Sequence, residues 1–359
     1  MVAINFKDIL LQWYTLNKRD LPWRKTTDPY KIWISEIIFQ QTRIEQGKAY
    51  YERFIAAFPT IIELADSKED KVLKLWQGLG YYSRARNLHF TAKIIVNQYN
   101  GVFPNKIEDI SKLKGIGGYT AAAIASIAFN LPYPAIDGNV MRFITRFCGI
   151  EIAINKAIAV NEVRRFVSAN MDIHNPGIFN SAMMEFGALY CKPKNPDCKN
   201  CCFNNQCVAF IKNLVGKLPV KAKAVDQRQR FFNYLVITLG EPGEKKFYIN
   251  KRTEKDIWRN LYDFPHIETN HSVNQDKLIE TGEWKNIFGD NEYIIIEKTP
   301  VYRHILSHQI ISAVFWKIQL RKCLISQSNE KLVSADQFNG LPISKLIDNF
   351  CIDFPDWLQ

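Results

Sequence analysis

Cys191, Cys198, Cys201 and Cys207 stand in a C-x6-C-x2-C-x5-C run, and this run limits what the chain can fold into more than any other feature. Thiolates this close in sequence can surround a single metal centre, and a segment carrying all four ligands must close into a loop around it. Zinc and iron–sulfur clusters both accept four cysteines, and spacing alone leaves the two open. Five of the eight cysteines fall within residues 191–207. Such crowding favours metal ligation over disulfides, because adjacent thiols without a metal are an oxidation liability. Cys202 is an extra neighbour that breaks the spacing if it replaces Cys201, and Cys148, Cys323 and Cys351 read as small buried apolar residues.

A chain of 359 residues with 47% hydrophobic and 13% aromatic content is long enough for two packed cores. From residue 1 to about 215 the apolar spacing is helical and the breakers are sharp: Asp28-Pro29, Phe58-Pro59, Phe103-Pro104, and Pro132 with Pro134. Residues 216–229 are basic and lack amphipathic period, which predicts a linker. Beyond them FFNYLVITLG and KKFYINKRT flank a turn signal at 241–244, and NEYIIIEKTP and ISAVFWKIQL are again rich in β-branched and aromatic residues. The expected architecture is a mainly α domain over 1–215 and an α+β domain over 230–359. A formal charge of +11 points toward a polyanion partner. Neither an export signal nor an apolar run of membrane-spanning length is seen, so a cytoplasmic location, on the nucleoid in a bacterium, and no membrane partner are expected.

Three further places carry chemistry. Leu113-Lys114-Gly115-Ile116-Gly117-Gly118 precedes a strong helix former, AAAIASIAF, so Gly115 and Gly117 can shape a turn whose backbone N–H groups meet a phosphate. Glu36 lies inside a helix opened by Asp28-Pro29 and is flanked by Ile34, Ile37 and Ile38. Desolvation there raises its pKa and keeps it protonated as a general acid. Asp137 follows two prolines and caps the next helix, whose N-terminus is expected to hold the carboxylate ionised.

The cysteine spacing, the hairpin at about 112–130 upstream of it and the segments WISEIIFQQTRI and IDGNV together resemble the endonuclease III and MutY superfamily of DNA glycosylases. The resemblance implies a helix-hairpin-helix glycosylase domain with an iron–sulfur loop at 191–207 holding a [4Fe–4S] cluster on the four cysteines. It implies that Glu36 protonates N7 of adenine, that Asp137 stabilises the sugar with Asn139 orienting it or a water, and that Gln41 and Tyr81 enter the base stack. Arg19, Leu21, Trp23 and Arg24 would line the adenine pocket or its rim. Members that also nick the strand carry a lysine where this chain has Tyr119, which a phenol cannot replace in a Schiff base, so the resemblance is to the monofunctional MutY branch. Ser181 stands where the family pattern has Gln or Glu.

KRTEKDIWRNLYDFP resembles the Nudix-like C-terminal domain of that branch, although no Nudix box is present. Leu306-Ser307-His308 corresponds to the family's F-S-H element, with Ser307 and His308 contacting 8-oxoguanine and Leu306 departing from the aromatic. The implied partner is double-stranded DNA with adenine opposite 8-oxoguanine or guanine, bound by a monomer.

Overall fold

A computed structural model describes residues 5–221, 227–240, 245–321 and 330–358. The expected turn at 241–244, part of the expected linker and Cys323 lie outside the described residues. The chain divides into two compact units, Met1–Asp66 with Asn87–Lys223, and Ser67–Arg86 with Ala224–Gln359. This corrects the expectation of a contiguous first domain. The helix Glu69–Trp76 buries Val72, Leu73 and Trp76, and an amphipathic pattern announces which face is buried but not which partner buries it. Here Asp70 pairs with Lys251 at 2.7 Å, far along the chain in the second unit.

The first unit is helical, as expected. Pro29–Ile38 begins as its sequence dictates, with Asp28 accepting from the Tyr30 N–H at 2.9 Å and Pro29 in the first turn. Its core is aromatic: Phe143 meets Phe186 at 4.5 Å between ring centroids, and Phe203 meets Phe6 at 5.0 Å. Phe203 lies between Cys201 and Cys207 and is 1% exposed, so burial of one ring pins the cysteine loop to the helices. Helix Pro176–Leu189 packs hard against helix Gly138–Cys148, because a Cβ on Gly187 would stand 2.6 Å from the Asn139 carbonyl oxygen. That close approach fixes one side of the site described below. Residues 216–221 do not behave as a linker: Leu218 is 3% exposed, its carbonyl accepts from Arg146 Nε at 2.9 Å, and Val220 accepts from the Ile154 N–H. Their basic composition concealed one buried leucine.

The second unit is built on two long strands, β1 (Arg228–Leu239) and, later in the chain, Gln309–Leu320. Between them come β2 (Lys246–Lys251), β3 (Tyr262–Asp263), β4 (His266–Thr269), β5 (Tyr293–Lys298) and β6 (Tyr302–Ile305), so the second long strand is β7, followed by β8 (Glu330–Val333). β1 and β7 run parallel in unbroken register from Arg228↔Gln309 to Leu239↔Leu320. The order is β3-β2-β1-β7-β5, with β4 on β1, β6 on β7 and β8 on β2. Both faces of the central pair are covered, since Trp316 joins Trp284 and Phe288 in one core while Phe315 stacks on Phe350 at 4.0 Å in the other. The α+β expectation holds.

Candidate active site

The first unit carries an open cleft of about 1680 Å³ lined by Arg19, Leu21, Trp23, Arg24, Glu36, Gln41, Gly117, Tyr119, Asp137 and Asn139 among others. Every residue expected from the helical half at the chemistry or the base pocket is therefore brought to one place. Of the other expected contacts, Gly115 lies in the hairpin outside this lining, and Tyr81, Ser307 and His308 belong to the second unit.

Glu36 projects from the buried helix Pro29–Ile38 and is only partly open, toward the cleft. Burial pushes its pKa up to about 7, the negative charge of Asp137 adds to the rise, and a hydrogen bond with Tyr119 opposes it. The Tyr119 hydroxyl also stands 3.2 Å from Met184 Sδ. When Glu36 holds its proton it can donate to this phenol, leaving the phenolic hydrogen for the sulfur.

Asp137 caps helix Gly138–Cys148. Its Oδ1 accepts from the N–H groups of Asn139 (2.9 Å) and Val140 (2.7 Å), and its Oδ2 accepts from Asn139 Nδ2 at 2.6 Å. Capping was expected to keep this pKa low. Instead burial raises it, outweighing the backbone and Asn139 hydrogen bonds and the charge of Arg142. The sequence revealed the cap but not the desolvation around it. Arg142 extends the chain of contacts: it donates to Asn139 Oδ1 at 2.9 Å, to the Gly187 carbonyl at 2.5 Å and, through Nε, to the Cys191 carbonyl at 2.8 Å.

The opposite wall holds a residue the sequence reading passed over. Glu185 is buried, accepts from Arg19 Nε (2.9 Å) and Nη2 (2.7 Å) in a bidentate pair, and accepts from Arg24 Nη2 at 2.6 Å. Burial alone would raise its pKa, but the hydrogen bonds from the two arginines prevail and hold it near about 2. A lone acid in the apolar run AMMEFGAL was its only signal. Ser181, one turn earlier, is 9% exposed and hydrogen-bonds the Tyr14 hydroxyl. Trp23 closes the rim against Phe39, 4.2 Å between ring centroids.

The hairpin follows helix Ile107–Lys112 and opens helix Gly118–Phe129. Gly115 needs to be glycine twice over, with φ +85° and a would-be Cβ 2.8 Å from Asn87 Cβ. Gly117 is different: its φ is −84° and nothing stands within 4 Å of its missing Cβ. That space is open to a ligand backbone rather than filled by protein. Gln41 sits on an exposed rim position with φ +60°, a strained backbone for a non-glycine residue.

A second, small cavity of about 30 Å³ is lined by all four expected ligands, Cys191, Cys198, Cys201 and Cys207, with Arg146, Tyr190 and Phe203. The Phe203 N–H donates to Cys201 Sγ at 3.4 Å and Arg146 Nη1 to Cys191 Sγ at 3.6 Å. Cys202 does not line the cavity and is exposed. Among the described residues no three of the His, Cys, Asp or Glu side chains are grouped to hold one metal ion.

In the second unit Ser307 and His308 form the exposed tip of the β6–β7 hairpin, Ser307 Oγ 3.3 Å from His308 Nδ1, with the turn closed by Leu306 N–H to the Gln309 carbonyl at 2.9 Å. Among the described residues no helix is long and apolar enough to cross a membrane.

Residues 34–167 match the family model described as HhH-GPD superfamily base excision DNA repair protein. An adenine DNA glycosylase of Buchnera aphidicola subsp. Schizaphis graminum (strain Sg) is 38% identical over 285 residues, 79% of this chain and 79% of that one. Another from Buchnera aphidicola subsp. Acyrthosiphon pisum (strain APS) is 34% identical over 358 residues, 98% of this chain and 99% of that one. A solved thermostable thymine-DNA glycosylase superposes on 58% of this chain and 95% of its own with a TM-score of 0.54 at 28% identity. With the site geometry and near full-length likeness in agreement, the chain belongs to the adenine DNA glycosylase family of base excision repair enzymes.

Proposed function

We propose that this enzyme removes adenine from DNA where it is mispaired with 8-oxoguanine or guanine, as a monofunctional glycosylase acting as a monomer. The observation that carries the reading is Glu36, a carboxyl whose pKa burial lifts to about 7 on the wall of a cleft large enough for an extruded nucleotide. Glu36 gives its proton to N7 of the flipped adenine. The C1′–N9 bond then breaks, its electron pair leaves with the base, and the sugar becomes an oxocarbenium-like cation. Asp137 as an anion stabilises that cation, and water adds to C1′, its proton passing to the carboxylate left on Glu36, to leave an abasic site. The negative charge of Asp137 adds to the burial that lifts the Glu36 pKa, which favours the proton on Glu36. Desolvation, which raises the Asp137 pKa, also strengthens its attraction for a neighbouring cation. Asn139 fixes the Asp137 carboxylate, and Arg19, Arg24, Glu185, Leu21 and Trp23 shape the base pocket. Gly115 and Gly117 receive a phosphate. Gln41 and Tyr81 fill the stack left by the base.

No lysine replaces Tyr119 at the sugar, so borohydride is expected to trap almost no covalent protein–DNA adduct while abasic product still accumulates. Trapping as efficient as that of a strand-nicking lyase would contradict monofunctionality.

The four-cysteine cavity holds a [4Fe–4S] cluster in this reading. Its donors fit: all four cysteines line one small space, and Arg146 and the Phe203 N–H already reach two of the sulfurs, as charge-compensating donors to cluster thiolates do. Cys191, Cys198, Cys201 and Cys207 would hold the cluster, which would tie residues 191–207 together and supply no group to the bond that breaks. Purified protein is expected to be brown and to carry iron and acid-labile sulfide in equal amounts. Removal of the iron is expected to melt the loop and abolish DNA binding, whereas stoichiometric zinc without sulfide would overturn the assignment.

Ser307 and His308 read the base opposite adenine. Their joint replacement by alanine is expected to lower the ratio of adenine release opposite 8-oxoguanine to that opposite guanine by about tenfold, the value of one or two directional hydrogen bonds. An unchanged ratio would remove these residues from the reading.

A further inference from the structure

The segment 67–86 carries Tyr81, and its geometry bears on how that ring is held. Gly78, Gly80 and Tyr81 have φ of +96°, +72° and +48°, so the chain makes a tight left-handed turn that ends on a tyrosine 45% exposed. A bulky side chain persists in such a conformation only where its surroundings over-determine it. They do so in two layers.

The inner layer is local. Trp76 Nε1 donates to the Gly80 carbonyl at 3.1 Å, Arg84 Nη2 donates to the same carbonyl at 3.2 Å, and the Arg84 guanidinium lies over the Trp76 ring at 5.3 Å and the Tyr81 ring at 5.7 Å. The turn is thus clamped on its inner side while the ring points out.

The outer layer joins the turn to the C-terminal chain. Gln77 behaves like one residue of a neighbouring strand: its Oε1 accepts from the Ile343 N–H at 3.4 Å and its Nε2 donates to Asp348 Oδ1 at 3.1 Å. The buried Tyr82 hydroxyl donates to the Ile343 carbonyl at 3.0 Å, so both backbone groups of Ile343 are taken up by residues flanking Tyr81. Lys74 Nζ reaches the Leu341 carbonyl at 3.0 Å, and Arg86 Nη1 reaches the Arg259 carbonyl at 2.8 Å. Ile343 is in turn bridged to Tyr262 of β3.

We infer that the C-terminal sheet unit is the mount for the Tyr81 wedge, with Gln77 and Tyr82 as positioning residues that set the ring through Ile343. The unit proposed to read the base opposite adenine therefore also carries a group that opens the stack beside it. Recognition and insertion are one rigid-body event rather than two independent contacts. The inference rests on the proposed function, in which Tyr81 enters the stack.

The test uses the full chain with Glu36→Gln to hold DNA without chemistry. Duplexes carry adenine opposite 8-oxoguanine, with 2-aminopurine as the nearest neighbour of 8-oxoguanine on one side or the other. Fluorescence at saturating protein reports unstacking independently of affinity. The parent is expected to raise the signal several-fold at one neighbour, and Tyr81→Ala to lose that rise. Gln77→Ala with Tyr82→Phe is expected to lose at least half of it although Tyr81 is present, while Asp348→Asn, which keeps an oxygen for Gln77, matches the parent. Tyr82→Phe alone, which deletes one oxygen, serves if the double variant does not fold, and is expected to lower the signal measurably. An undiminished rise in folded positioning variants overturns the mount while leaving the wedge and the glycosylase reading intact. An undiminished rise in Tyr81→Ala overturns the wedge itself, and the mount with it. Adenine release by the enzyme carrying Glu36 is scored separately, so failure of the activity is distinguishable from either.

Discussion

Glu36→Gln is expected to lower the single-turnover rate of adenine release by two to four orders of magnitude, on the order of what a positioned general acid contributes. Glutamine keeps the shape and can still hydrogen-bond the base but has no proton of suitable acidity to give, so binding of the mispaired duplex should stay within a few-fold of the parent. The parent's rate should fall about tenfold per unit as pH rises through about 7, the value to which burial lifts Glu36. It should fall again in acid as Asp137, whose pKa burial also raises, takes up a proton. The Glu36 shift also has a consequence for stability. A carboxyl whose folded pKa lies above its unfolded value binds more protons when folded, so its cost is absent below about 4.5, grows as pH rises, and is fully present above about 7. At pH 8 the parent therefore carries a penalty that Glu36→Gln lacks. The inactive variant is expected to unfold at higher denaturant than the parent there, by up to about 3 kcal/mol, and to lose that advantage at pH 4. An equally stable pair at pH 8 would mean that the carboxyl is not desolvated.

Glu185→Ala is expected to be among the most destabilising single changes in the helical unit, because it leaves two arginine guanidinium groups without the buried carboxylate that both of them bind. Arg19 and Arg24 keep side-chain exposures of 28% and 19%, so solvent softens the loss. About 3 kcal/mol and a fall in melting temperature on the order of 10 °C are expected. Glu185→Gln keeps one acceptor and should recover part of it. Because the arginines hold the Glu185 pKa near about 2, its contribution is fully present above about 4.5 and is lost as pH falls toward 2. The gap between parent and Glu185→Ala should therefore close in acid, as read by denaturant melts at pH 7 and pH 3. A gap that persists at low pH would assign the loss to packing rather than to charge.

What could be read in the sequence was local. Asp28-Pro29, the hairpin glycines, the Asp137 cap and the cysteine spacing act within a few residues, so their residue types carry the conformation with them. The four cysteines do share one cavity, and the residues expected at the chemistry do share another. What could not be read was set by partners distant in the chain. Glu185 looked like an interruption of a core helix until Arg19 and Arg24, more than 160 residues away, were beside it. Asp137 showed its cap but not its burial, and two opposing influences on one pKa cannot be weighed when only one is visible. Ser67–Arg86 has the pattern of any helical segment, and its place with the sheet is fixed by side chains such as Gln77 and Tyr82 meeting a backbone some 260 residues later.

The identity of the base that leaves the DNA tests the central claim most directly. The enzyme in molar excess is mixed with duplexes bearing adenine opposite 8-oxoguanine, opposite guanine and opposite thymine, and with a thymine–guanine mispair. Free bases are then separated and weighed by mass spectrometry. Free adenine from the first two duplexes, fastest opposite 8-oxoguanine and with the sugar–phosphate strand left uncut, is the result expected. Free thymine from the last, or tight binding of every duplex with no base released, would contradict it.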